Sequence, residues 1–301
     1  MIKLETGELA DLGPAQIRVR MLASPINPSD LIPVTGAYSH RIKPPLVAGY
    51  EGVGIVVSAS PETASLIGQR VLPLRGSGTW QRYVDCDPAW AISVPDDIED
   101  DLASRAYINP LAAFLMTRRW NPVGRKVLVT AASSTCAGLL AQWSSSMGAE
   151  EVVGVYQSAE HVPLLRRFGM TPIPADSSAV MAAHAQATDL VFDAVGGELA
   201  TNVLSAMRPD ATFVSYGLLS GKAIFVASGG PRPLRFHIRD HLEGQSSAVW
   251  QEWFREIWPL LRSTSLPIPR RFRVDDWKHA LAYFNERGRQ SKPVLTFDHP
   301  K

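Results

Sequence analysis

Cysteine is almost missing from this chain: Cys86 and Cys136 are the two in 301 residues, and they form no CxxC pair. That excludes a disulfide framework and makes a reducing, cytoplasmic setting the simplest expectation. Net charge is also almost missing, because 30 Lys and Arg face 29 Asp and Glu, leaving +1. No global field draws nucleic acid or an acidic membrane, and neither is expected as a partner. No run of about 18 apolar residues occurs, so no membrane span is expected. The opening MIKLETGELADLG lacks the apolar stretch of a secretory signal. There is no internal repeat and no low-complexity segment. What the chain does have is length for about two domains, or one large α/β unit, and apolar content for a sizeable core.

The first hundred residues read as β-rich. Gln16–Leu22 alternates polar and apolar residues, the pattern of a half-buried strand. Proline and glycine punctuate Pro25 to Gly54. Val53–Val57 predicts a buried strand, and Val71–Leu74 and Gln81–Val84 predict further short ones. Short strands between turn residues indicate a small β-barrel or sandwich. The pattern changes near Ile98. Asp100–Arg119 carries helical spacing, interrupted at Asn109-Pro110. Strands then alternate with helices. The strands are Lys126–Thr130, Glu151–Tyr156, Asp189–Ala194 and Thr212–Tyr216; the helices are Gly138–Met147, ending at Gly148, and Ala159–Phe168, closed by Gly169. This alternation predicts a parallel sheet with right-handed crossovers, the doubly wound plan that binds nucleotides. Trp250–Leu261 predicts an amphipathic helix, and Val294–Phe297 a last strand returning to the first domain.

In such sheets the ligand sits at the carboxyl ends of the strands. The first strand–turn–helix is Val127-Leu-Val-Thr-Ala-Ala-Ser-Ser-Thr-Cys-Ala-Gly138. A pyrophosphate there needs close backbone approach and free N–H groups at the helix start. Ala131 to Gly138 are all small, so Ser133, Ser134, Thr135, Cys136 and Ala137 are candidate cofactor contacts; an ordinary helix cap is the alternative. A GxGxxG fingerprint is absent. After the second strand, an Asp or Glu would bind the 2′-hydroxyl of NAD. Tyr156, Gln157 and Ser158 stand there instead, which favours NADPH. His161 and Arg166 are candidates for holding its 2′-phosphate, or lie on a solvated helix face.

Several stretches occur together and in order: Asn27-Pro28-Ser29-Asp30, Gly36-Ala37-Tyr38, Gly49-Tyr50-Glu51-Gly52-Val53-Gly54, Gly78-Thr79-Trp80, Asn109-Pro110-Leu111-Ala112-Ala113, Phe192-Asp193-Ala194-Val195-Gly196-Gly197 and Val214-Ser215-Tyr216-Gly217. With them the chain, from about Gln16 to Phe297, resembles the medium-chain dehydrogenase/reductase superfamily in its zinc-independent quinone oxidoreductase branch. Within it, the likeness is strongest to mitochondrial-type trans-2-enoyl-thioester reductases. The resemblance implies a Rossmann domain, residues 106–261, inserted into a split GroES-like β-barrel catalytic domain, residues 1–105 with 262–301. It also implies NADPH in the cleft between the two and a homodimer formed by edge pairing of Rossmann sheets. Tyr38 matches the tyrosine that donates a proton in those reductases; packing at the rim of a cleft is its alternative. Trp80 matches a tryptophan that walls the acyl channel or nicotinamide pocket, or is a core aromatic. Asn27 matches an asparagine near the nicotinamide, or caps the turn before Pro28. Tyr216 and Gly217 follow the fourth strand, where the family's cofactor meets backbone. Lys292 stands where many quinone oxidoreductases place a cofactor-binding lysine, or is a solvated tail lysine.

Zinc-dependent members need cysteine and histidine ligands. Here Tyr50-Glu51 stands in the place of His-Glu, no cysteine lies near Asn27–Asp30, and the seven histidines show no ligand spacing. A metal-free site is expected. Thr135 and Ala137 replace glycines of the relatives, Ala112 replaces a threonine, and the opening strand of typical members is lacking. The expected activity is NADPH-dependent reduction of an activated C=C bond of the 2-enoyl thioester type. An NADPH:quinone or enone oxidoreductase, or a non-catalytic cofactor- or RNA-binding member of the fold, is the alternative.

Overall fold

A computed structural model of the chain describes residues 2–35, 45–226 and 230–297. Tyr38, with Gly36 and Ala37, lies outside the described residues. Thirteen strands occur among them. They are β1 (Ile17–Pro25), β2 (Val53–Ser58), β3 (Arg70–Pro73), β4 (Tyr83–Cys86), β5 (Ala91–Ser93), β6 (Lys126–Val129), β7 (Glu151–Tyr156), β8 (Thr171–Pro174), β9 (Leu190–Asp193), β10 (Thr212–Ser215), β11 (Leu234–Arg235), β12 (Arg270–Arg273) and β13 (Pro293–Thr296). The chain divides into two compact units: Met1–Ile108 with Ser246–Ser263 and Pro267–Lys301, and Asn109–Gln245 with Thr264–Leu266. The helix Ser247–Arg262, which the sequence reading grouped with residues 106–261, goes with the first unit. Its Trp250 packs on Trp90 at 5.3 Å and on Tyr107 at 5.5 Å between ring centroids. No helix among the described residues is long and apolar enough to cross a membrane.

The first unit is built on a mainly antiparallel sheet in the order β12-β13-β1-β2-β3-β5, with β4 also paired to β1. Alternation dictates its core: β1 buries Ile17, Val19 and Met21 and turns Arg18, Arg20 and Leu22 outward. Val56, Val71, Val84 and Leu295 complete the same cluster. The C-terminal strand does return here, antiparallel to β1 with Ala23 opposite Thr296 and Pro25 opposite Val294. That register matters for the site. It sets Lys292, one residue before β13, beside Asn27, two residues after β1.

The second unit is a parallel sheet in the order β11-β10-β9-β6-β7-β8. Chain order reverses between β6 and β9, which makes that pair the switch point of a doubly wound sheet. Every residue of β9 is buried, as a central strand covered on both faces requires. Some sequence expectations need correcting. Asn109-Pro110 does not interrupt a helix; both lie in the first turn of Ile108–Arg119, and the break falls at 104–107. Proline is tolerated there because first-turn N–H groups have no intrahelical partner. The helix after β6 starts at Thr135 rather than Gly138, because Ser134 caps it. The helix expected over Ala159–Phe168 is a 3-10 turn, Ala159–His161, followed by Val162–Arg167. β8, which holds two prolines, is a strand beyond those the sequence pattern indicates, and prolines are tolerated at the sheet edge where it lies.

Candidate functional site

The second unit brings most of the expected cofactor residues to the switch point. The chain leaves β6 through Thr130, whose hydroxyl donates to Asp193 Oδ1 at 2.7 Å and accepts the Ala194 N–H at 2.9 Å. The Asp193 carboxylate also takes the N–H groups of Val195 at 3.1 Å and Gly196 at 2.9 Å. The ends of β6 and β9 are thereby tied together by two buried side chains. Burial raises the Asp193 pKa against these hydrogen bonds. Sequence reasoning singled out neither residue as functional. The available signal was a polar pair closing two otherwise apolar strands.

Ala131 follows with φ +49, a left-handed conformation that a small side chain tolerates better than a large one. Ser134 then caps Thr135–Met147, its hydroxyl accepting the Ala137 N–H at 3.3 Å. Ser133 is exposed and Ser134 and Thr135 are half-buried, while the Cys136 and Ala137 side chains are buried. Gly138 is required by packing: a β-carbon there would come within 2.7 Å of the Phe168 ring. This helix start, with its dipole and the backbone N–H groups of its first turn, suits a phosphate. Tyr216 adds to it. Its hydroxyl is buried beside Cys136 and Ser134 and has no well-formed hydrogen bond among the described residues. Burial raises its pKa well above 10, so it stays a neutral phenol. A buried hydroxyl beside the turn, held only loosely by Cys136 and Ser134, can turn to a ligand oxygen. Gly217 is also held close, since a β-carbon would lie 2.8 Å from the Ala194 carbonyl oxygen. These residues fit a dinucleotide. Tyr156, Gln157 and Ser158 lie at the end of β7, with Gln157 exposed and the others half-buried. His161 is buried and Arg166 is exposed.

The first unit holds a second, separate cluster. Lys292 Nζ donates to Asn27 Oδ1, across 265 positions of sequence. Asn27 Nδ2 donates to Glu51 Oε1 at 2.7 Å, and Glu51 Oε2 accepts the N–H groups of Tyr107 at 3.1 Å and Ile108 at 2.8 Å. Asp30 accepts the N–H groups of Asn27 at 2.7 Å and Tyr50 at 3.0 Å. Asn27, Asp30 and Glu51 are all buried. Burial raises Asp30 to about 7, with Glu51 adding to the rise and Lys292 opposing it. Burial lowers the Lys292 ammonium to about 8, although its stem keeps some exposed surface. Trp80 is tied to the end of β1: its indole N–H donates to the Pro25 carbonyl at 3.2 Å. Its ring lies over Gly49, where φ is +92 and a β-carbon would meet the indole at 2.3 Å. Glu51 spends both carboxylate oxygens on hydrogen bonds. Among the described residues no group of three or more His, Cys, Asp or Glu is arranged to hold a metal ion.

The alcohol dehydrogenase GroES-like domain model matches residues 13–96, and the zinc-binding dehydrogenase model matches residues 137–261. A solved structure of a Bacillus thuringiensis protein, provisionally named an NADPH:quinone reductase, is similar at 33% identity and a TM-score of 0.88, over 96% of this chain and 92% of that one. The human mitochondrial enoyl-[acyl-carrier-protein] reductase is 29% identical over 98% of this chain and 85% of its own length. The rat enzyme of the same name is 28% identical over 72% of this chain, and the match spans 62% of the rat protein. The chain belongs to the medium-chain dehydrogenase/reductase superfamily, in its quinone oxidoreductase branch.

Proposed function

We propose that this protein is an NADPH-dependent reductase that saturates the activated C=C bond of a 2-enoyl thioester without a metal. The observation that carries the reading is the switch-point cradle of Ala131, Ser134, Gly138, Tyr216 and Gly217, with the buried Tyr216 hydroxyl beside the helix start. When bound, NADPH supplies a hydride to the β-carbon of the acceptor. The chain's own residues do the rest. The start of the helix Thr135–Met147 holds the pyrophosphate by its N–H groups and dipole. Tyr156-Gln157-Ser158 puts no carboxylate against a 2′-phosphate. Tyr38, a phenol that is protonated at neutral pH, donates a proton to the enolate left on the substrate. Asn27 and Lys292 orient one another, and Trp80 walls the acceptor. Glu51 acts as a hydrogen-bond anchor and not as a metal ligand.

Quinones or enones are the second acceptor class, supported by the name of the Bacillus relative. We also propose a homodimer through the β11 edge of the second unit, supported by exposed Leu218, Leu219, Phe225 and Leu234. A reducing, cytosolic setting suits two cysteines that are buried and form no disulfide. No nucleic-acid partner is proposed.

The test is NADPH consumption with enoyl thioesters and with quinones, by the wild type and by Tyr38→Phe. The expected result is thioester-dependent consumption that Tyr38→Phe slows by about 100-fold or more in kcat, with NADPH affinity kept. Consumption with quinones alone favours the second class. No consumption with any acceptor overturns the enzyme reading and favours a non-catalytic member of the fold.

A further inference from the structure

The loop after β3 runs Leu74-Arg75-Gly76-Ser77-Gly78-Thr79-Trp80, and it is pinned at several points. Leu74 and Thr79 are buried. The N–H groups of Thr79 and Trp80 donate to the carbonyls of Gly49 at 3.1 Å and Ala48 at 2.9 Å. A β-carbon on Gly78 would fall 2.3 Å from the Val47 carbonyl oxygen, so the backbone is packed against its neighbour. On this fixed loop Arg75 adopts φ +59, a conformation that a branched or long side chain rarely takes. Strain of this kind persists where surrounding structure over-determines it, and it marks functional positions more often than others.

The Arg75 side chain rests on aromatic rings. Its guanidinium lies 4.3 Å from the Trp90 ring centroid and 6.0 Å from that of Trp250. Those two rings meet edge to face at 5.3 Å and 89°. The residue is nevertheless exposed. No salt bridge or hydrogen bond joins it to an acidic group among the described residues. A guanidinium stacked on aromatic faces keeps its N–H fork free for a second partner, and that fork matches phosphate or carboxylate geometry. A strained, preoriented, unpaired arginine on a rigid loop is built to receive an anion.

The position of the loop suggests which anion. Arg75 is five residues from Trp80, so the two lie within about 18 Å even if the chain were fully extended. An extended pantetheine arm can span any separation up to that limit. We infer that Arg75 binds the phosphate end of a phosphopantetheine thioester, carried either by coenzyme A or by a carrier protein, while Trp80 faces the acyl end. The inference rests on the enoyl-thioester reading above and adds the specificity residue for its carrier group. Quinones and enones offer no phosphate to such a residue.

The experiment compares three crotonyl thioesters as substrates for the full chain: the N-acetylcysteamine thioester, which has no phosphate, crotonyl-CoA, and a crotonyl carrier protein. The variants are Arg75→Gly and Arg75→Lys. Glycine suits a positive φ, so Arg75→Gly removes the side chain while relieving the backbone, and its melting temperature reports that it folds. The expected result is a rise of about tenfold or more in KM for the phosphate-bearing thioesters with kcat retained. The N-acetylcysteamine thioester should change by less than about twofold, and Arg75→Lys should recover part of the loss through its charge. A shift with coenzyme A alone, or with the carrier protein alone, supports the assignment and identifies the source of the phosphate. Equal shifts for all three thioesters, or none for any, overturn the assignment while leaving thioester reduction standing. If the wild type reduces quinones and no thioester, the enoyl-thioester reading falls and takes the assignment with it.

Discussion

Asp30 is the residue whose burial has the clearest consequence for pH. In the folded chain burial raises it to about 7, from an ordinary 3.8. Between those values the folded protein holds a proton that the unfolded chain has released. Stability therefore falls as pH rises through that window, and the loss is complete above the folded value, with a ceiling of about 4 kcal/mol. Lys292 acts in the opposite direction at higher pH. Its ammonium is lowered to about 8 from 10.5, so stability recovers as pH rises between those values. Urea unfolding of the wild type and Asp30→Asn at several pH values checks this. The wild type should lose on the order of 1–3 kcal/mol more than the variant between pH 4 and 7. Parallel curves would show that Asp30 does not carry the dependence. Little of this was legible in the sequence. Asn27 and Lys292 were visible through family resemblance, but as separate residues. Their contact comes from the pairing of β1 with β13, which no local pattern encodes. Glu51 was read only as the neighbour of a missing histidine. Its use as the anchor for Asn27 and two backbone N–H groups depends on a fold that brings Tyr107 and Ile108 to it.

At the scale of elements, the strands of the parallel sheet were the most legible part. β7 was read with the bounds it has, and β6, β9 and β10 to within a residue at either end. Buried parallel strands are continuous apolar runs, so composition alone announces them. Other elements defeated the same reading for physical reasons. Pro28–Thr35 holds a proline inside a short helix, and β12 is an arginine-rich edge strand with little to bury. Helix Ser178–Ala187 is built largely of alanine and small residues, whose periodicity is faint. The turn after β6 was found by the smallness of its residues, and one of them gives a sharp test. Gly138 packs under Phe168, so Gly138→Val forces the helix away from that ring. The expected cost is about 1–3 kcal/mol of stability by thermal or chemical unfolding. NADPH affinity, read by tryptophan fluorescence, should weaken with it, because the helix start is displaced. Unchanged affinity in a destabilised variant would mean that the pyrophosphate is held elsewhere.

The whole molecule distributes its chemistry over two units. The second carries the proposed cofactor cradle at the end of a doubly wound sheet, and the first carries a buried polar cluster and the loop that holds Arg75 and Trp80. The fold class was readable because alternating strands and helices leave few topologies. The division of the chain was harder, because helix Ser247–Arg262 follows the sheet in sequence yet packs with the first unit through its tryptophans. Near-neutral charge argues only against a global field, and a local arrangement of helix start, hydroxyls and one stacked arginine can hold anions without one. The measurement that bears most directly on the proposed reaction is deuterium transfer. NADPH deuterated at the transferable C4 position is incubated with a crotonyl thioester and the protein, and the product is analysed by mass spectrometry and NMR. The proposed reaction predicts a saturated thioester with a single deuterium at the β-carbon. Recovery of unreduced thioester, or a reduced product without deuterium at that carbon, would contradict it.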